Sequence, residues 1–319
     1  MKKILCVQPL RPEALQLFEE RPDIRFEVIT DFSPDNLLRH IGDADALTIR
    51  DAHLPLQVLQ AAPRLRVVSR HGVGYDNIPV DYCTSRNIPV TVVGSVNAVS
   101  VAEQAMFLLL AAAKHGVALD AAIRRGDFAA RSRFTGIDLS GRTLLIVGYG
   151  RIGHEIATRA RAFGMNILVH DPYAQPEDGI EVAASLDEGL SRADVVTVHV
   201  PLNKDTRNLL GAREFALMPP RGIVLNTARG GIIDETALVA ALDSGHLWGA
   251  GLDVFETEPL PADSPVARHP KVVLSPHSAA LTEGSLIAMG VMTARNALAG
   301  LDGSLDPALI VNRSVLETL

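Results

Sequence analysis

Within the stretch 222–231, GIVLNTARGG, an always-charged guanidinium stands just past a short apolar run and just before two glycines. Arg229 has five N–H donors in a rigid fork, the geometry that grips a carboxylate through two parallel hydrogen bonds. Placed at the carboxyl end of a parallel strand, it would be a carboxylate receptor; placed in an ordinary turn, it would be a solvated cation. The rest of the chain has to separate these two readings.

A second stretch, TLLIVGYGRIGHEIATRA over 143–160, sets Gly148, Gly150 and Gly153 directly after a strand and at the start of a helix. In that context each glycine has a separate task. Gly148 permits a tight turn, Gly150 lets backbone approach a pyrophosphate, and Gly153 lets helix and strand pack closely, with the helix N-terminus facing the phosphates. The following strand, NILVH, ends at Asp171, 18 residues after Gly153. That is the place for an acid that hydrogen-bonds a ribose diol and repels a 2′-phosphate. No arginine in the following DPYAQPED would accept that phosphate, so NAD is expected rather than NADP. A similar stretch, RHGVGYDN, has Gly72 and Gly74 after a strand but Asn77 where a third glycine would stand. It reads as a substrate-facing loop.

Elements must position these groups. Residues 1–93 alternate short β-branched runs (KILCV, FEVIT, ALTIR, LRVVSR, PVTVV) with helix-length stretches that carry proline near their starts. A second alternating series runs from GRTLLIVGYGRIG through MNILVHD, ADVVTVHVP, GIVLNTARG and WGAGLDV to KVVLSPH. Alternation of this kind predicts α/β architecture with parallel sheets. Residues 98–118 read as one long helix, apolar nearly all round and therefore buried, and 283–298 as another. Among the 319 residues the apolar fraction is 47% and aromatics are 4%, so the core is expected to be aliphatic. A net charge of −7 argues against nucleic acid and anionic membranes as partners. The apolar run after the basic start MKKILCVQPL is too short for a signal peptide and reads as a first strand. Two cysteines, Cys6 and Cys83, make no disulfide framework and suit a reducing cytoplasm. No metal is expected, because the histidines and cysteines form no ligand pattern. Trp248, the only tryptophan, reads as a packing residue that could report cofactor binding by its fluorescence.

The blocks NTARGGIIDETAL, GAGLDVFETEP and SPHSAALT, with RHGVGYDN, NAVSVAEQA and VHVPLNKDTRNLL in the same order, resemble the D-2-hydroxyacid dehydrogenase family. The likeness runs from about Thr48 to Thr282. It implies a discontinuous substrate domain of 1–97 plus 281–319, an inserted Rossmann domain of 98–280, a cleft between them, and a homodimer held partly by the helix near 98–118. By the same resemblance the catalytic residues are Arg229, Glu258 and His277. Arg229 would hold the substrate carboxylate and polarise the neighbouring carbonyl. His277 would give a proton to the developing alkoxide and take it back in oxidation, which suits an imidazole, whose ordinary pKa is about 6.5. Glu258 would hold the other ring nitrogen, with Glu256 as the alternative. Further positions carried over are the backbone of Tyr149, Arg151 and Ile152 at the pyrophosphate, Val200 and Pro201 at the adenine, Thr227 and Ala228 at the nicotinamide ribose, and Asp253 at the nicotinamide amide.

The resemblance also implies that the N–H groups of Val73 and Gly74 receive a substrate carboxylate. Arg50 and Arg70 occupy blocks where 3-phosphoglycerate dehydrogenases carry arginines, so a substrate with a second anionic group is expected, unless both are ordinary strand-end arginines. Only about 35 residues follow Glu283, too few for the regulatory domain many phosphoglycerate dehydrogenases carry. The alternative is reduction of a smaller acid, glyoxylate or hydroxypyruvate. PHSAALT departs from the commoner wording after the histidine, leaving the effect of Ser278 on specificity open. A different class also resembles this chain: the C-terminal binding protein corepressors, NAD(H)-sensing scaffolds that act by protein contact.

Overall fold

Short aliphatic runs form strands here because parallel sheets bury both faces and favour continuous Val, Ile and Leu. GIVLN at Gly222–Asn226 is buried at all five positions. In the computed structural model, which describes residues 1–175 and 178–317, the chain divides into one unit of Met1–Asn97 with Leu281–Leu319 and another of Ala98–Ala280. The first contains β1 Lys2–Val7, β2 Ile24–Ile29, β3 Ala46–Ile49, β4 Val67–Arg70 and β5 Val90–Thr91, all parallel, in the order β2-β1-β3-β4-β5. The second contains β6 Thr143–Val147, β7 Asn166–His170, β8 Glu181–Val182, β9 Val195–Val198, β10 Gly222–Asn226, β11 Leu247–Leu252 and β12 Val272–Leu274. They too pair in parallel, in the order β12-β11-β10-β9-β6-β7-β8.

Both orders reverse direction once. In the second unit the chain leaves β6 for β7 and β8 on one side, then crosses to β9 on the other. The carboxyl ends of β6 and β9 therefore diverge around a crevice, the place where open α/β sheets bind ligands. In the first unit the reversal lies between β1 and β3.

Helix starts follow local chemistry. Pro12 and Pro34 occupy first turns, where a missing N–H costs nothing. Asp234 accepts from the Ala237 N–H and Thr282 from the Ser285 N–H, caps worth about 1 kcal/mol each. Helix Glu283–Asp302 packs on β3 and β4 inside the first unit. The helix expected over 98–118 is two helices. Ala98–Ala113 ends where His115 takes a left-handed φ of 52°, and Gly116–Arg124 departs at 66°. At that turn the His115 ring packs against both Phe134 and Trp248. The first helix is not buried all round, since Val99 and Phe107 are exposed. No single helix among the described residues is long and apolar enough to cross a membrane. Cys6 and Cys83 are buried free thiols.

Candidate active site

All the predicted residues of the second unit lie at one edge of its sheet. Gly148 follows β6, Asp171 follows β7, Val200 and Pro201 follow β9, Thr227 to Arg229 follow β10, Asp253 to Glu258 follow β11, and His277 follows β12. Parallel strands achieve this convergence automatically, because every carboxyl end points the same way.

The glycine loop fits a dinucleotide. Gly148 has φ 94°, and a Cβ there would lie 2.7 Å from the His199 carbonyl oxygen, so the turn and the neighbouring strand end exclude any side chain. A Cβ on Gly153 would lie 2.7 Å from the Gly148 oxygen, which sets how closely the helix Arg151–Ala162 approaches the turn. Gly150 differs: nothing lies within 4 Å of its would-be Cβ. The open side above Gly150 leaves backbone room for a phosphate at a helix N-terminus. Both carboxylate oxygens of Asp171 are fixed, Oδ2 by the Tyr149 N–H and Oδ1 by the Tyr173 N–H, each at 2.8 Å. The acid is thereby tied to the loop it would assist. Arg151 and Ile152 form the first turn of the helix. Val200 packs on Gly148, and the Thr206 hydroxyl donates to the Pro201 carbonyl at 2.6 Å. Thr227 is buried, and its hydroxyl has no hydrogen-bond partner among the described residues. A buried hydroxyl left unpaired costs about 1–3 kcal/mol, a cost that a ligand acceptor would remove.

Arg229 leaves β10 on a turn wound around Asn226. The Asn226 side chain accepts from the Ala228 N–H at 2.9 Å and donates to the Arg229 carbonyl at 2.8 Å. The guanidinium is half-buried and donates to the Ala228 carbonyl at 2.6 Å. The glycine after it is required by contact: a Cβ on Gly230 would overlap the Phe255 carbonyl oxygen at 1.8 Å. This presses the arginine turn against the loop that carries Glu258. Glu258 Oε1 accepts from the Phe255 N–H at 3.0 Å, and Oε2 meets His277 Nδ1 at 2.8 Å. Burial pushes the Glu258 carboxyl up. The hydrogen bonds from His277 and the Phe255 N–H, with the charges of His277 and Arg229, outweigh it and hold Glu258 below the ordinary range. An anion at Nδ1 fixes the tautomer and leaves Nε2 for proton transfer. His277 stands at φ 50°, uncommon for a residue with a Cβ, and its N–H donates to the Asp253 carbonyl at 2.7 Å. Its side chain is 45% exposed and accessible to a small molecule. Glu256 is used elsewhere: its N–H donates to Glu235 Oε1 at 2.7 Å, and its own Oε1 accepts from the Glu235 N–H at 3.3 Å.

In the first unit, Arg50 follows β3 and Arg70 closes β4, so both stand at the carboxyl edge of that sheet. Arg70 folds over its own loop, donating to the His71 carbonyl where Gly72 leaves room. His71 is buried and held down to about 4, first by burial and then by the charge of Arg50, with Arg70 adding to it. The N–H groups of Val73 and Gly74 have no acceptor among the described residues. Asn77, the residue in place of a third glycine, donates to the Arg50 carbonyl at 2.9 Å and the Ala52 carbonyl at 2.7 Å, tying the two loops together.

A family model described as D-isomer specific 2-hydroxyacid dehydrogenase, NAD binding domain, matches residues 106–279, more than half of the chain. The chain belongs to this family. It is 41% identical over 310 residues to the D-3-phosphoglycerate dehydrogenase of Methanocaldococcus jannaschii, covering 96% of this chain and 58% of that protein. The chain thus spans little more than half the length of that relative. It is 37% identical over 326 residues to the glyoxylate reductase of Thermococcus onnurineus, covering 99% of this chain and 97% of that one. Among solved structures it resembles a D-lactate dehydrogenase from Aquifex aeolicus complexed with NAD and lactic acid, with TM-score 0.86, 28% identity, and coverage of 97% and 99%.

In this 2-hydroxyacid dehydrogenase family member, Asp253 does more than the sequence suggests. It was expected at the nicotinamide amide, yet it is fully buried and its oxygens accept from the Ser275 hydroxyl at 2.5 Å and from the Ser278 and Ala279 N–H groups at 2.9 Å each. Two oxygens offer about four lone-pair sites, and three donors fill most of them. Asp253 therefore first holds the loop that presents His277. Gln104, on the helix Ala98–Ala113, completes the chain by donating to Ser275 at 3.0 Å. Gln104, Ser275, Asn226 and Glu235 escaped the sequence reading, because nothing local in their wording shows which loop each one meets.

Proposed function

We propose that this chain is a NAD-dependent oxidoreductase that interconverts a D-2-hydroxy acid and its 2-keto acid. The observation that carries this reading is the Glu258–His277 pair at 2.8 Å, on the same strand edge as Arg229 and the open face of Gly150. When bound at the glycine loop, the nicotinamide supplies or accepts the hydride. Arg229 holds the substrate carboxylate and draws electron density from the adjacent carbonyl oxygen. His277 Nε2 delivers the proton that the new alkoxide requires, and Glu258 stabilises the imidazolium before that transfer. In the oxidation direction His277 takes the proton back. The carboxylate of Asp171 favours the ribose diol of NAD over a 2′-phosphate, since like charges at contact distance are separated by several kcal/mol.

In the first unit, the Val73 and Gly74 N–H groups and the cations Arg50 and Arg70 are the proposed receptor for the substrate's anionic groups. Their placement at the carboxyl ends of the neighbouring strands β3 and β4 supports a second anionic group, hence 3-phosphoglycerate and its keto acid. The 37% identity to the Thermococcus onnurineus glyoxylate reductase supports the other reading, a glyoxylate or hydroxypyruvate reductase. Initial rates with NADH and with NADPH on glyoxylate, hydroxypyruvate, pyruvate and 3-phosphohydroxypyruvate decide between them. NADH should be oxidised in preference to NADPH. Preference for the phosphorylated acid, lost in Arg70→Glu, assigns Arg50 and Arg70 to the phosphate; preference for a small acid assigns them to the solvated edge. Tight NADH binding with negligible turnover on all four acids would instead identify a scaffold like the C-terminal binding protein corepressors.

A homodimer fits the exposed apolar side chains Phe107, Val117, Ile123 and Phe128, which lie on consecutive segments from the helix Ala98–Ala113 onward. Light scattering on the purified protein should read twice the chain mass. The buried free thiols suit a cytoplasmic setting.

A further inference from the structure

We propose that the second unit holds another anion site, for a small phosphorylated molecule, at the edge of its sheet opposite the glycine loop. A cavity of about 600 Å³ opens there, lined by Arg133, Arg221 and Lys271 together with His115, Phe134 and Trp248, and by no acidic side chain among the described residues. Arg221 directly precedes β10 and Lys271 directly precedes β12, so both stand at amino ends of strands. Arg221 and Arg229 therefore lie at opposite ends of β10, and the cavity is separate from the proposed catalytic residues.

The cations are built in. The Arg221 guanidinium lies over the Trp248 ring at 4.5 Å, an arrangement that fixes a cation while leaving its N–H edge for a ligand. Lys271 Nζ donates to the Leu242 carbonyl at 2.8 Å, which anchors it and leaves two donors. Among the described residues neither has a carboxylate within ion-pair distance, although the chain carries a net charge of −7. Arg133, in contrast, is paired with Asp127. Two uncompensated cations match the charge of about −1.5 to −2 on a phosphate group, and their five or more donors match its oxygens. His115 responds to the same field: burial first, and then the Lys271 charge, hold it below its ordinary pKa.

Trp248 is the only tryptophan in the chain and lines this cavity, so its fluorescence can report binding here. The test titrates the assembled wild-type protein with inorganic pyrophosphate at low ionic strength, with NAD in excess, and follows Trp248 emission and binding heat. The expected result is saturable binding with one site per chain. Affinity should fall at least about tenfold in Arg221→Ala with Lys271→Ala, since each lost charge-assisted contact is worth roughly that factor. Lys271→Gln alone should give a smaller loss, and NADH turnover should be retained in both. Undiminished affinity in these variants, competition by NAD, or no saturable binding up to about 10 mM (an affinity weaker than about 3 kcal/mol) would each overturn the proposal. The last includes the case in which a second copy of the chain closes the cavity.

Discussion

Thr227 leaves a hydroxyl buried without a partner one residue past β10, and Asp253 spends a buried carboxylate on one loop. Each of these placements has a measurable consequence. Thr227→Val keeps the shape and removes the unpaired group. It should leave the unliganded protein as stable as the parent, or about 1 kcal/mol more stable, while weakening NADH binding by about tenfold. Thermal unfolding and a calorimetric titration read the two effects separately; equal NADH affinity would place the hydroxyl outside the cofactor site. The residue types were legible in the sequence. Arginine past an apolar run, glycines in a fixed pattern and an acid 18 residues on each have a local reason. The partners were not legible, because the contacts of Gly230 with Phe255 and of Gln104 with Ser275 join segments far apart in sequence.

At the scale of elements, the turn after β6 and the helix Arg151–Ala162 act together, and the glycines divide their labour between fold and ligand. Gly148→Ala sets a Cβ 2.7 Å from backbone at φ 94° and should cost the second unit much of its stability. Gly150→Ala meets nothing within 4 Å in the protein. It should therefore fold with an unchanged Tm and yet lose NADH affinity by about 10² or more, since the methyl would occupy the space of a phosphate. Parental affinity in Gly150→Ala would show that the open side is not the phosphate site. Strand positions followed directly from aliphatic runs bounded by turns. The two-residue edge strand β8 gave too little pattern to read, and the break at His115, whose ring packs against Phe134 and Trp248, is not announced by any periodicity.

At the scale of the whole molecule, the two sheets each gather functional side chains at carboxyl edges, and each also buries a histidine near that edge. Burial first, then the charge of Arg50, holds His71 down to about 4, and burial alone holds His199 to about 3. Both are depressed below the ordinary value of about 6.5, so between pH 6.5 and pH 4 the unfolded chain binds more protons than the folded one. The contribution of these histidines to stability is fully present above pH 6.5 and falls as the pH is lowered through that window, by about 3 kcal/mol at most for His71. Tm measured from pH 7.5 to pH 4 should drop more steeply in the wild type than in His71→Asn. Identical slopes would mean that His71 titrates normally. The discontinuous division of the chain came from the family likeness and not from periodicity, since hydrophobic pattern carries no information about which segments return to an earlier sheet.

In the proposed mechanism His277, held by Glu258, moves the proton while the glycine loop holds the cofactor. The measurement that tests it most directly compares His277→Ala with the wild type, reading kcat for NADH-dependent keto-acid reduction and the Kd of NADH in the same preparation. The expected result is a fall in kcat of about 10²–10⁴ with NADH affinity nearly unchanged. A parental kcat, or a loss of NADH affinity that accounts for the whole effect, would contradict it.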